Sequence, residues 1–419
     1  MKILVVGGGG REHTIIKKIR ENPSVTEIFA LPGNGGISKD AKCVDIGAKE
    51  TDKIVEFAKK ENIDFAIVAP DDPLVLGTVD LLEKAGIPCF GPDKKAAIIE
   101  GSKVFSKNLM KKYNIPTAKY ETFDNMEDAL SYLETAPVPT VIKADGLALG
   151  KGVVIAMTRD EAVNAVKSMM QDKVFGESGN HIVIEEFLEG PEVSVLSFTD
   201  GKTMVPMVSS MDHKRALDGD KGLNTGGMGT IAPNPYYTPD IADRCMKEIF
   251  LPTMEAMNSE GRTFKGCLYF GLMLTENGPK VIEYNCRFGD PETQVVLPLL
   301  KTDLLDIMMA VSNETLDKIN VEFSESSACC VVMASNGYPG KYETGFEITV
   351  DDDFKGNLYI AGAKLDGEKL LSGGGRVLGI TAVGDSLKDA VEKCYMQVEK
   401  VHFENAFYRK DIGQRALKA

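Results

Sequence analysis

The first hundred residues alternate apolar runs with helix-period segments, and this alternation constrains the fold more than any other feature of the chain. Residues 2–6, 26–30 and 65–69 read as strands, with shorter ones at 43–46 and 88–90. Residues 11–21, 52–61 and 74–85 read as helices between them. Parallel neighbours need a crossover, and a helix supplies it, so the pattern argues for a parallel sheet covered on both faces. Ligands of such a sheet gather at the carboxyl ends of its strands, here 7–10, 32–36 and 70–73.

A chain of 419 residues exceeds one ordinary core, so about two to four domains are expected. Near residue 101 the pattern changes. A lysine-rich helix at 102–113 and a helix at 126–133 precede strands at 140–143 and 153–157. A helix at 160–170 and a strand at 181–185 follow, then strands at 192–198, 204–208, 266–274 and 280–285. These long antiparallel segments describe an α+β region, not a second doubly wound sheet. The last ninety residues read as a third, mixed unit, with strands at 328–334, 347–350, 358–361 and 375–383 and a helix at 387–400. No helix follows Gly373-Gly374-Gly375, so this run reads as a hairpin turn, not a phosphate loop.

Hydrophobic residues make up 43% and charged residues 26%, the balance of a soluble globular protein. No apolar run is long enough for a membrane span, and the apolar start is too short for a signal core, so a cytoplasmic location is expected. The net charge of −14 argues against general nucleic-acid binding and leaves room for phosphorylated small molecules in a local cationic pocket. The eight cysteines contain no Cys-x-x-Cys pair, and the four histidines are scattered, which disfavours structural zinc. Cys329-Cys330 lies in an apolar run and reads as reduced core.

Five segments carry chemistry. In the first, residues 7–10, four glycines between strand and helix offer backbone amides to a phosphate. Glu12 stands where a dinucleotide fingerprint needs its last glycine, and the second strand ends without a ribose-binding acid, so a nicotinamide enzyme is the weaker reading. The second, 143–153, places Lys143, Lys151 and several glycines between two strands: either a flap over phosphates or an exposed hairpin with solvated lysines. The third, 182–192, is an apolar strand entering an acidic stretch. It suits an adenine edge and ribose, or an edge strand running into a charged turn. The fourth is the strand 281–285. Residues two apart face one side, so Glu283 and Asn285 project together, an oxygen pair that suits magnesium shared with nucleotide phosphates. Arg287, Asp290 and Glu292 follow. The fifth joins Asp212-His213-Lys214-Arg215 to the glycine-dense stretch 219–229, an anion pocket in an acidic protein. His213 could be a base or a ligand, although a lone histidine is more often structural.

Together, Gly-Gly-Gly-Arg-Glu-His at 8–13, Pro-Gly-Asn-Gly-Gly at 32–36, Ile-Lys-Ala-Asp-Gly-Leu-Ala-x-Gly-Lys-Gly-Val at 142–153, Asp-His-Lys-Arg at 212–215, Asn-Thr-Gly-Gly-Met-Gly at 224–229 and Glu-Tyr-Asn-Cys-Arg-Phe-Gly-Asp-Pro-Glu-Thr-Gln at 283–294 resemble the ATP-grasp ligases. Over essentially the whole chain they resemble most closely the branch that joins glycine to 5-phosphoribosylamine. The resemblance implies a pre-ATP-grasp N-terminal parallel α/β domain (1–100). It implies a central ATP-grasp domain (101–325) with a mobile subdomain at about 115–190, and a C-terminal mixed α/β cap (326–419).

The same resemblance implies ATP as co-substrate, Mg²⁺ or Mn²⁺ as cofactor, glycine and 5-phosphoribosylamine as the other substrates, and a monomer. Lys103 and Lys143 are expected at the ATP phosphates, under a flap with Asp145, Gly146, Gly150, Lys151 and Gly152. Glu185, Glu186, Phe187 and Leu188 are expected at the adenine and Glu192 at the ribose. Glu283 and Asn285 are the expected metal ligands, with Gly271 where many relatives carry another carboxylate. Arg287 and Lys143 are the expected catalytic groups. Gly9, Arg11, Asn34, Asp212, Lys214, Arg215, Gly227, Arg287 and Asp290 are the expected substrate contacts. Carboxylate activation requires phosphoryl transfer to glycine, so charge neutralisation and positioning carry the chemistry, with no nucleophilic Ser or Cys.

Overall fold

The computed structural model describes residues 1–147 and 152–419. The N-terminal sheet has five strands in the order Lys42–Cys43, Glu27–Pro32, Lys2–Gly7, Phe65–Val68 and Cys89–Phe90. All are parallel, as the alternation requires. The central strand is apolar and buried on both faces, with helices such as Gly10–Ile19 and Thr51–Lys60 packed over it. Two expectations change. The helix expected at 74–85 is two, Asp71–Leu76 and Thr78–Lys84, because Gly77 at φ 94° breaks the helical ladder. The strand expected at 43–46 shrinks to Lys42–Cys43 at the sheet edge.

Helix Lys94–Gly101, not foreseen from periodicity, starts where Asp93 accepts from the Ala96 amide at 2.7 Å. Ser102 then caps the next helix, Lys103–Lys112, by accepting from Phe105 N at 3.0 Å. This corner brings Glu100, at the C-terminal end of one helix, close in the chain to Lys103, at the start of the next.

Two four-stranded antiparallel sheets come next in the chain. One runs Tyr120–Phe123, Ile182–Glu186, Thr140–Ala144, Val153–Ala156. Helices Met126–Leu133 and Arg159–Met170 cover it, and Leu133, Ile142, Val166 and Ile184 form a small core of its own. The other runs Met204–Pro206, Glu192–Thr199, Gly266–Thr275, Gly278–Asn285. The two sheets meet where Thr117 bridges Val281.

The fourth large sheet, in the C-terminal region, carries Ser327–Ser335, Arg376–Gly384 and Asn357–Ile360 beneath helix Leu387–Val398. Its remaining strands include Met211–Asp212 and Gly229–Ala232, so the ends of the 212–229 segment are stitched into the C-terminal sheet. The run 373–375 is not the expected hairpin turn. Strand Lys369–Ser372 pairs back onto Ala363–Asp366, and the glycines carry the chain from that ribbon into the main sheet. There Gly373 N donates to Gly362 O at 2.8 Å, and a Cβ on Gly374 would lie 3.0 Å from Gly362 Cα. All eight cysteines are free, and Cys329 and Cys330 are buried as expected. Among the described residues no helix is long and apolar enough to cross a membrane.

Candidate active site

In strand Gly278–Asn285 the residues Val281 and Tyr284 are buried, while Glu283 and Asn285 remain partly open to a cleft. Regular alternation would not produce this. Gly271 pairs with Glu283 and Leu272 with Val281, so Ile282 is an extra residue, a β-bulge that re-aims Glu283 and Asn285. Lys143, at the end of the facing sheet, donates to the bulged Ile282 carbonyl at 3.0 Å. Burial alone would raise the Glu283 pKa, but Lys214, Lys143, Lys103 and Arg287 together outweigh it and hold the carboxyl below its usual range. An ionised carboxylate two residues from an amide oxygen fits a hard cation such as magnesium. A Cβ on Gly271 would come 3.0 Å from Glu283 Cγ, so the small residue there gives this ligand its room. Among the described residues no group of three or more His, Cys, Asp or Glu is placed to hold a metal, and Glu283 with Asn285 would leave coordination positions open to phosphate oxygens or water.

The opposite wall is cationic. Buried Lys143 pairs with Glu185 at 3.0 Å, and Lys107 reaches the same carboxylate at 3.1 Å. Lys107 also donates to Thr117 Oγ1 at 2.7 Å, which donates to Val281 O at 2.8 Å, joining the two sheets behind the cleft. Burial pulls the Lys107 ammonium down to about 8 against the pull of Glu185. Lys103 donates to Gly146 O at 2.7 Å, and burial lowers its pKa as well. Asp145 accepts from Ser102 Oγ and Val104 N, both at 3.1 Å, which ties the start of the flap to the N-terminus of helix Lys103–Lys112. Gly146 has φ 95° and sits against Ser178. The buried Gly152 accepts from Ala144 N at 2.8 Å. Gly150 and Lys151 lie outside the described residues.

At the end of strand Ile182–Glu186 the structure separates residues that the sequence grouped. Glu185 is held by the two lysines, Glu186 pairs with Lys280 at 3.1 Å, and Phe187 and Leu188 are half-buried. Glu192 lies 3.4 Å from Lys214, which in turn is 3.7 Å from Glu283. The Glu192 and Glu283 charges raise the Lys214 pKa, with burial opposing.

The far end of the cleft is built on 286–294. Phe288 is buried against Phe90 and Phe198, with ring centroids 6.1 and 5.9 Å away, an anchor worth about 2 kcal/mol for its burial. Arg287 Nη2 donates to Glu100 Oε1 at 2.9 Å, while its Nε is buried without a partner. Asp290 binds Gln294 Nε2 at 2.8 Å and lies 3.4 Å from both Arg376 Nη1 and the Arg11 amide, so the N-terminal and C-terminal regions both reach it. Tyr269 donates to Glu292 Oε1 at 3.1 Å and lies 2.8 Å from Ser194 Oγ. Nearby Asp212 is pushed well up by burial and then by Glu292, and Gly227, at φ 112°, lies too close to it for a Cβ.

Several candidates turn out to hold the scaffold. The Gly9 amide donates to Glu12 Oε2 at 2.6 Å, so the glycine turn already holds its own carboxylate. Arg11 pairs with Glu12 at 2.7 Å and donates to Phe288 O at 3.1 Å. Asn34 donates to Gly8 O and Ile360 O and accepts from Gly36 N and Ile37 N, fastening the turn to the C-terminal sheet. Arg215 donates to Gly222 O within its hairpin. His213 is structural: Nδ1 lies 3.1 Å from Gly229 O and Nε2 accepts from Gly413 N at 3.2 Å. Sequence reasoning missed Glu100, Lys107 and Arg376. Only Lys107 left a signal, since it lies four residues after Lys103 on the same helical face.

Two antiparallel sheets closing on a cleft, Lys143 from one with Lys103 and Lys107 from the adjoining helix, and an oxygen pair from the other, define an ATP-grasp enzyme. Models of phosphoribosylglycinamide synthetase match the chain in sequence: its N domain over residues 1–100, its ATP-grasp (A) domain over 101–293 and its C domain over 328–415. The chain belongs to the phosphoribosylglycinamide synthetase family. It is 48% identical to the phosphoribosylamine–glycine ligase of Clostridium acetobutylicum, over 99% of this chain and 100% of that one. The crystal structure of the Thermotoga maritima phosphoribosylamine–glycine ligase superposes with TM-score 0.87 at 33% identity, over 98% of this chain and 100% of that one. The biotin carboxylase domain of Hydrogenobacter thermophilus 2-oxoglutarate carboxylase superposes at 0.74 with 16% identity, covering 97% and 91%; it shares the fold.

Proposed function

We propose that this cleft joins glycine to 5-phosphoribosylamine while ATP is split to ADP and phosphate, a step of purine (IMP) synthesis. The observation that carries the reading is the Glu283–Asn285 oxygen pair with Lys103, Lys143, Lys214 and Arg287 gathered around it in one cleft. The γ-phosphoryl passes to the glycine carboxylate, giving glycyl phosphate and ADP. The amine of phosphoribosylamine then attacks the carbonyl and phosphate leaves. Lys103 and Lys143 neutralise the phosphates, the stretch 182–192 takes the nucleoside, and Arg287 stabilises the oxyanion that develops on the acyl carbon. A magnesium or manganese ion held by Glu283 and Asn285 would supply further neutralisation of the phosphate oxygens. The segment 212–229 with Asp290 faces the glycine and sugar-phosphate side. The division at 100 and 325, a cytoplasmic location and a monomeric state belong to the same reading.

The test is ADP release from the purified chain with ATP, magnesium, glycine and freshly generated phosphoribosylamine. Release that depends on both glycine and the amine is expected. Equal release without glycine, or with bicarbonate in its place, would overturn the assignment in favour of another carboxylate-activating reaction on this fold.

A further inference from the structure

Glu100 is the last carboxylate before the corner between helices Lys94–Gly101 and Lys103–Lys112, and its side chain is 8% exposed. Three successive residues of the metal edge converge on it. Cys286 N donates to Oε2 at 2.7 Å, and Arg287 Nη2 donates to Oε1 at 2.9 Å. Turning the Asn285 amide so that its nitrogen donates to the same Oε1 at 2.9 Å and to Tyr284 O at 3.3 Å gains two hydrogen bonds and gives up only the long Arg287 Nη2–Oδ1 contact at 3.4 Å, so this orientation is the favoured one. All three partners are donors, so the two carboxyl oxygens of Glu100 serve as their shared acceptors, with the Arg287 guanidinium beside them. An amide has one acceptor end. With the Asn285 nitrogen committed to Glu100, its oxygen lies on the other side of the group, free of the carboxylate.

We infer that Glu100 is a positioning residue for the ligase: it selects which end of the Asn285 amide is offered to the metal and sets the Arg287 guanidinium beside it. A ligand oriented by an outer partner binds its metal more tightly, and loss of such partners typically costs ~10–100-fold in metal affinity or activity. Asparagine depends on such a partner, because its oxygen and nitrogen exchange by a simple rotation and only one of them can ligate. The inference rests on the reading of Glu283 and Asn285 as metal ligands.

The test uses the full chain with ADP, and reads free Mn²⁺ by electron paramagnetic resonance. Glu100→Gln keeps the shape but turns an N–H toward partners that are themselves donors. It is expected to weaken Mn²⁺ binding by ~10-fold or more, with the magnesium needed for half-maximal ADP release rising in parallel. Should that variant not fold by circular dichroism, Glu100→Asp, which retracts the carboxylate by one methylene, takes the same measurements. Unchanged Mn²⁺ binding in the folded variant overturns the inference. A second arm uses Asn285→Asp, which sets two carboxylates against each other and is expected to bind Mn²⁺ poorly. Adding Glu100→Gln to it should restore binding, and a double variant no better than Asn285→Asp overturns the inference. Glu283→Ala separates the two levels. If it too leaves Mn²⁺ binding intact, the metal reading fails; if it abolishes binding while Glu100→Gln does not, only the role of Glu100 fails.

Discussion

Lys143 reaches across the cleft to the Ile282 carbonyl at 3.0 Å, and Ile282 is the residue pushed out of register immediately before Glu283. One ammonium therefore touches the bulge that aims the proposed metal ligand and also sits where phosphate charge would gather. Lys143→Met keeps the length of the side chain and removes both effects. Turnover is expected to fall by ~100-fold or more at saturating ATP and magnesium, measured as ADP release. A folded variant within threefold of the parent would take Lys143 out of the phosphate site.

Arg287→Lys retains the charge and loses the planar fork. The second N–H that meets Glu100 at 2.9 Å has no counterpart in an ammonium placed to serve the substrate as well. The catalytic rate is expected to drop ~10- to 100-fold, with melting temperature nearly unchanged, because the buried charge is still paired. An unchanged rate by single-turnover measurement removes Arg287 from the chemistry.

Gly271→Ala places a methyl 3.0 Å from Glu283 Cγ, closer than ordinary contact. The side chain must swing, since the strand pairing on both sides fixes the backbone. The magnesium concentration at half-maximal rate is expected to rise several-fold while the affinity for glycine holds. Identical magnesium titrations for the two proteins would show that Glu283 has room to spare.

His213 gives the pH dependence a definite sign. Burial pushes its imidazole down to about 4, aided by Arg409 and only partly resisted by the Gly229 carbonyl, against an ordinary value of 6.5. Between these values the unfolded chain holds more protons than the folded one, so stability is complete above 6.5 and is lost as pH falls toward 4. The contribution at stake is about 3 kcal/mol. Urea denaturation of His213→Asn should show a shallower loss across that window than the parent, and parallel curves would refute the assignment.

The parallel N-terminal sheet and the two antiparallel ones were legible because hydrophobic periodicity is local. The face shared by Glu283 and Asn285 was legible for the same reason. The bulge at Ile282 was not, since Val281-Ile282-Glu283-Tyr284-Asn285 reads as an unbroken strand, and only pairing with Gly271 and Leu272 reveals the extra residue. Asn34 looked like a ligand residue because its type and turn position suit an anion, while Glu12 was read only as standing where a dinucleotide fingerprint needs a glycine. Their actual partners, the Ile360 carbonyl and the Gly9 amide, arise from tertiary docking and from a helix cap. Glu100 stood at the end of an Ala-Ala-Ile-Ile run with no local mark, and its three donors lie 185 to 187 positions away.

The stitching of Met211–Asp212 and Gly229–Ala232 into the C-terminal sheet means that chain order and sheet membership cross. Severing the chain at 325 would not yield two self-sufficient pieces. The larger fragment would keep Gly229–Ala232 with an uncovered edge of backbone donors and acceptors, inviting adhesion between copies. The smaller would lack the strand that finishes its flank. A split, permuted or fused form of this protein is therefore expected to need the 211–232 segment and the final ninety residues together, since they share one sheet.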